Sequence, residues 1–168
     1  MRTVIILLPA LLLSAVLPAS TPLTVAGFAP AAVLARAYAL INLARDNARA
    51  CGSESFQAAP PLAVSATLER TAALHAEDMA RWNYFEHTGR DGSAPRDRLA
   101  RAGYAARLTG ENIAFGPDSA EEVVAGWLGS PGHCANLMNA RFSAMGLAFS
   151  VEPRKHAVYW VLDQALPR

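Results

Sequence analysis

The chain reads as a layered α/β (α+β) domain with a small antiparallel sheet. Helix-spaced apolar faces dominate the earlier part, and two strand-like runs joined by a polar turn close it. With 168 residues there is room for one compact domain but not for two ordinary ones. Hydrophobic residues make up 52% and charged ones 17%, which supplies a core and argues against disorder.

Part of the apolar excess belongs to a leader rather than to the domain. Met1-Arg2-Thr3 is a short basic start, and Val4 to Leu13 is apolar apart from Pro9. Small residues and prolines follow to Ala26, which is the layout of a secretory signal peptide. The run is shorter than the ~20 residues a membrane-spanning helix needs. The expected leader covers residues 1–26, with cleavage after Ala19 or Ala26, and the domain covers 33–166.

Within the domain, Val33, Leu34, Ala37, Leu40, Ile41 and Ala44 lie on one helical face, predicting a helix from Pro30 to Arg49. A turn-rich stretch runs from Cys51-Gly52 to Pro60-Pro61. Ser65 is placed to cap a helix reaching Trp82, whose apolar face holds Leu68, Ala72, Met79 and Trp82. Pro95 starts a short helix that Gly103 stops. Leu108 to Phe115 is extended, with Gly110-Glu111-Asn112 an unexpected polar step in its middle. Ser119 and Glu122 form a capping box ahead of Val123, Val124 and Trp127. Ser130-Pro131-Gly132 then breaks the chain and presents His133. Phe142 to Val151 and Ala157 to Leu162 are the closing strands.

Export also shapes the partners. Arg2 is the only charged residue up to Ala26, so the formal net charge of +1 falls to near neutrality in the mature chain. No Lys/Arg block exists to neutralise phosphates, so nucleic acid is not an expected partner, nor is an anionic membrane surface. Cys51 and Cys134, an even pair in an exported chain, read as a disulfide; two buried free thiols are the alternative.

Of four histidines, His156 reads as solvated and His75 as a hydrogen-bonded residue of a buried helix face. His87 and His133 each follow a helix in irregular backbone beside Gly89 and Gly132, where side chains can converge. Glu111 needs compensation in its apolar segment, which a histidine or a metal ion would supply. Two imidazoles and a carboxylate can hold zinc with an open position for water. A Ser130–His133 pair oriented by Glu111 is a second arrangement, although no G-x-S-x-G elbow occurs.

Phe85-Glu86-His87-Thr88, Asp91-Gly92-Ser93-Ala94-Pro95, Ala102-Gly103-Tyr104, Gly110-Glu111-Asn112-Ile113-Ala114, Trp127, and Ser130-Pro131-Gly132-His133-Cys134-Ala135-Asn136-Leu137-Met138 occur in that order. Together they resemble the bacterial branch of the CAP superfamily (cysteine-rich secretory, antigen 5 and pathogenesis-related proteins, or SCP domains) from Val33 to Gln164. The resemblance implies an α-β-α sandwich, secretion, and a cleft formed by two His and two Glu that in some members binds zinc. His87, Glu111 and His133 match that tetrad, and Ser130 stands where the fourth, acidic member would be. The Cys51–Cys134 pairing also resembles a bacterial pattern in the family.

The expected role is a non-enzymatic, secreted or periplasmic binding module, acting as a monomer. Its ligand would be a lipid, a cell-wall component or a peptide, or a divalent cation such as zinc held by His87 and His133; no cofactor is required. A metal-dependent hydrolase using His87, His133 and Glu111 is the alternative, and a purely structural cleft network is a third reading.

Overall fold

The computed structural model describes residues 24–27 and 29–168. The expected leader lies outside the described residues except for its last three. Of these, Val25 donates its N–H to the Asp118 carbonyl at 2.6 Å, and Thr24 bridges Ser119.

The elements follow in the order α1 (Pro30–Arg45), β1 (Arg49–Cys51), β2 (Glu54–Phe56), β3 (Ala63–Val64), α2 (Ala66–Trp82), α3 (Pro95–Arg101), β4 (Ala106–Phe115), α4 (Ala120–Gly129), α5 (Pro131–Met138), β5 (Ala144–Val151) and β6 (Val158–Pro167). The main sheet has the order β3-β5-β6-β4. Its long strands are antiparallel, but the two-residue β3 runs parallel to β5, so the sheet is mixed at one edge. Helix α2 lies across β5 and β6 on one face, with α3 beside it, while α1, α4 and α5 pack together on the other. This is the three-layer α-β-α sandwich.

The two faces are packed differently, and β5 shows why. Its large residues Met145 and Leu147 join Val158, Trp160 and Leu162 of β6 against Val33, Ala37 and Ile41 of α1 and Val123, Val124 and Trp127 of α4. Side chains alternate across a strand, so the small residues of β5 turn toward α2. A Cβ on Gly146 would stand 2.1 Å from the Glu69 nitrogen and 2.2 Å from the Leu68 carbonyl carbon. The backbone of α2 therefore rests directly on the sheet, and Ala72, Ala76 and Ala148 complete that thin layer.

Several elements depart from the sequence reading. Helix α1 stops at Arg45 rather than Arg49, because the chain turns there into the β1–β2 hairpin, which the turn-rich composition concealed. Strand β6 runs on past Leu162 to Pro167, since the buried polar pair Asp163 and Gln164 stays in the ladder. Trp82 is 49% exposed instead of buried. It ends α2 beyond the sheet, with the Arg90 guanidinium 3.9 Å from its ring centre. The largest revision concerns residues 131–138. Pro131 does not only break the chain; it occupies the first turn of α5, where a missing N–H costs nothing.

Two devices fix α5. Cys51 at the end of β1 is disulfide-bonded to Cys134, closing a separation of 83 residues. By loop-closure entropy such a link contributes about 4–5 kcal/mol. At the other end of α5, the fully buried Arg45 donates to the carbonyls of Pro60, Leu137, Asn139 and Phe142 at 2.6–3.4 Å. Burial lowers the pKa of this guanidinium, and its place beside the last carbonyls of a helix compensates the charge.

Candidate functional site

Strand β4 is an edge strand, and its polar step is where the site forms. Alternation sends neighbouring side chains to opposite faces. Glu111 turns to the α2–α3 layer and Asn112 to the α5 layer. Glu111 is almost wholly buried, with 2% of its side chain exposed, and both its oxygens are engaged. His87 Nδ1–H donates to Oε1 at 2.7 Å, and the Arg98 guanidinium from α3 closes on Oε2. Arg98 also donates to the carbonyls of His87 and Ser93, so it anchors the loop that carries the histidine. The bond from Glu111 raises the His87 pKa against the opposing effect of burial. About half of the His87 side chain remains exposed.

On the other face, Asn112 Nδ2 donates to the His133 carbonyl at 3.1 Å. Asn136, one turn further along α5, donates to Asn112 Oδ1 at 3.0 Å and to the Glu111 carbonyl at 3.2 Å. Gln164 of β6 donates to the Asn136 carbonyl. A ladder of neutral amides thus seats α5 on the strand edge. It needs close approach: a Cβ on Gly110 would meet the Phe142 ring at 2.7 Å and Asn136 Oδ1 at 2.9 Å.

His87 and Glu111 are therefore joined directly. His133 is partly buried on α5 rather than in irregular backbone, and no hydrogen bond links its ring to either. It reaches the same edge of β4 from the opposite layer. Its pKa is lowered by burial and by the charge of His87. Ser130 caps α5, its carbonyl accepting from the Cys134 N–H. Its hydroxyl makes no bond to His87, Glu111 or His133, so a Ser130–His133–Glu111 relay is not assembled. His75 is buried, as its helical spacing indicated, and Nε2–H donates to the Glu86 carbonyl at 2.9 Å. Burial, with Arg98 nearby, lowers its pKa. His156 is exposed in the turn before β6.

The donor set for zinc can be tested on these contacts. A metal bound by His87, His133 and Glu111 would have to share a buried carboxylate whose two oxygens already bond to His87 and Arg98. Among the described residues no group of three or more His, Cys, Asp or Glu side chains is placed to hold a metal ion. The three-ligand centre does not fit this arrangement, and only the two imidazoles remain available.

Two residues of the site escaped the sequence reading. Asp163 of β6 sits directly across from Glu111 in the ladder and is 1% exposed. Its Oδ2 accepts from the Thr71 hydroxyl at 2.9 Å, whereas Oδ1 is buried without a partner. Burial, reinforced by the charge of Glu111, raises its pKa to about 8. A protonated Oδ1 facing Glu111 resolves the orphaned atom, since an acid can donate where a carboxylate cannot. The available signal was an acid inside the apolar run Val158 to Leu166, the same cue that exposed Glu111. Arg98 had no such signal, standing among other arginines on a short polar helix.

A thin three-layer sandwich with a His/Glu cleft at one sheet edge defines the class. The pattern of the cysteine-rich secretory protein (CAP) family matches residues 38–164, and the chain belongs to that family. It is 36% identical over 93 residues to the uncharacterized protein YkwD of Bacillus subtilis, a match that covers 55% of this chain and 36% of YkwD. The chain thus spans about a third of that relative's length. Among solved structures, an extracellular SCP-domain protein from Bacillus anthracis is 30% identical, with a TM-score of 0.57, over 64% of this chain and 34% of that one. An outer surface protein of Borrelia burgdorferi has a TM-score of 0.69 at 20% identity, covering 84% of this chain and 97% of that one. That likeness concerns the fold.

Proposed function

We propose that this protein is an extracellular binding module, non-enzymatic, whose ligand-facing surface is the β4 edge between His87 and His133. The observation that carries the reading is the burial of Glu111 with both oxygens bonded to protein donors. A general base must reach a water molecule, and the Glu111 side chain is only 2% exposed. Here one oxygen accepts from His87 and the other is held by Arg98, above the buried Asp163. The carboxylate orients His87 instead, leaving a half-exposed imidazole on one side of the strand and a partly buried one on the other. Such a pair offers hydrogen bonds and a titratable charge to a ligand. Export is supported by the leader pattern and by the extracellular relative from Bacillus anthracis. Among the described residues no helix is long and apolar enough to cross a membrane.

The test combines turnover with binding on the purified mature domain. Casein and a chromogenic ester, each with and without zinc chloride, should show no hydrolysis above the buffer rate. Hydrolysis abolished by Glu111→Gln would overturn the reading in favour of the hydrolase. Amide chemical shifts are followed while muropeptides, oleate and zinc chloride are titrated separately. At least one should move the signals of residues 87 and 133, and His87→Ala should weaken that binding. No response at either histidine from any of the three would equally overturn it.

A further inference from the structure

A cavity of about 740 Å³ opens between α2 and the segment from Gly89 to Ala102, and neither His87, Glu111 nor His133 lines it. Its walls carry four guanidiniums, those of Arg70, Arg90, Arg98 and Arg101, against the two carboxylates of Asp78 and Asp91. Both acids are already engaged. Asp78 accepts from the Tyr84 hydroxyl at 2.6 Å, and Asp91 accepts from Ser93 and pairs with Arg101. The other arginines have donors to spare. Arg90 lies over the Trp82 ring with no carboxylate partner, and Arg70 is exposed on α2 without one. Arg98 Nε is buried and unpartnered, although its terminal nitrogens are bonded. A buried donor without an acceptor is unfavourable.

Size and polarity narrow the ligand. Cavities of roughly 300–1,000 Å³ hold organic molecules, and an inorganic anion would leave most of this one unfilled. Leu74, 61% exposed, and Ala102 provide an apolar wall beside the guanidiniums. We propose that this cavity binds a phosphate-headed amphiphile, a phosphomonoester carried on an apolar body. A phosphomonoester brings a charge of about −1.5 to −2, which suits Arg70 and Arg90, the two lining arginines without a carboxylate partner among the described residues, and guanidinium forks match its oxygens. The apolar body lies along Leu74. The headgroup belongs either to a soluble metabolite or to a membrane lipid. The cavity is separate from the His87–His133 edge but shares Arg98 with it.

Octyl phosphate is the probe, titrated into the mature domain by calorimetry. Tryptophan fluorescence is a second readout, because Arg90 of the cavity lies over the Trp82 ring. Octyl phosphate should bind at least tenfold more tightly than inorganic phosphate or octanol. The double variant Arg70→Gln/Arg90→Gln should lose at least tenfold, with its thermal midpoint unchanged. Leu74→Ser should weaken octyl phosphate and leave inorganic phosphate as it was. Cosedimentation with phosphatidic acid vesicles, and not with phosphatidylcholine vesicles, assigns the headgroup to a lipid; octyl phosphate binding without cosedimentation assigns it to a soluble ligand. Octyl phosphate binding no tighter than inorganic phosphate overturns the proposal, as does wild-type affinity in the double variant.

Discussion

Strands β4 and β6 carry two polar networks on opposite faces, and the two are built from different chemistry. Toward α5, Asn112, Asn136 and Gln164 form a chain of neutral amides. Toward α2 and α3, Glu111 and Asp163 stand side by side and are answered by Arg98, His87 and Thr71. One residue of offset along the same strand separates the two. Both networks bury polar atoms at a sheet edge and so both must be satisfied. Only the charged one can respond to protons. The difference implies that α5 is a fixed partner of the sheet, while the histidine loop is held by bonds that pH can change.

The comparison is broken most forcefully at Arg98. Replacing Arg98 by Met leaves the buried Glu111 facing Asp163 without its cation, and removing one partner of a buried pair costs about 3–5 kcal/mol. Urea denaturation at pH 7 measures it. A loss under about 1 kcal/mol would mean that the pair behaves like a surface contact and that the charged face does not hold the loop. The amide face has a smaller expected effect. Asn136→Ala strips donors from Asn112 Oδ1 and the Glu111 carbonyl. Unsatisfied buried acceptors of this kind cost about 2–3 kcal/mol in sum. The loss should be equal at pH 5 and pH 8, and a difference between the two would show that the ladder is coupled to the charged face.

The sequence exposed the parts of this arrangement that announce themselves locally. The faces of α1 and α4 follow helical spacing, and the small residues of β5 foreshadow the close seat of α2. The Ser119 cap holds, its hydroxyl accepting from the Glu122 N–H at 3.2 Å; the Glu122 carboxylate reaches back to accept from the Asp118 N–H. What stayed hidden depends on tertiary pairing. Pro131 starts helices as readily as it ends them, and α5 is held by Arg45, the disulfide and the amide ladder, all of them tertiary contacts. Glu111 was recognisable as an acid in an apolar strand. Its partners were not, because Arg98 arrives from a separate helix and Asp163 from the last strand of the chain.

Asp163 tests whether the charged face is charged throughout. Its folded pKa is raised to about 8, well above the ordinary carboxyl value of 3.8. Below pH 3.8 the acid is protonated in both folded and unfolded chains, and its contribution to stability is fully present. As pH rises, the unfolded chain releases the proton while the fold retains it, so stability falls until the folded group ionises near pH 8. His87, with its raised pKa, also loses its contribution as pH rises, so the wild-type curve alone does not separate the two. Asp163→Asn does, because an amide keeps the shape and a donor toward Glu111 but has no proton to lose. The variant should lose less stability between pH 5 and pH 8 and be more stable than wild type at pH 8, by roughly 1–2 kcal/mol after the weaker bond from Thr71 is allowed for. Parallel curves, or a variant less stable at pH 8, would mean that Asp163 is ionised in the fold. Arg98, His87 and Thr71 would then restrain two adjacent charges.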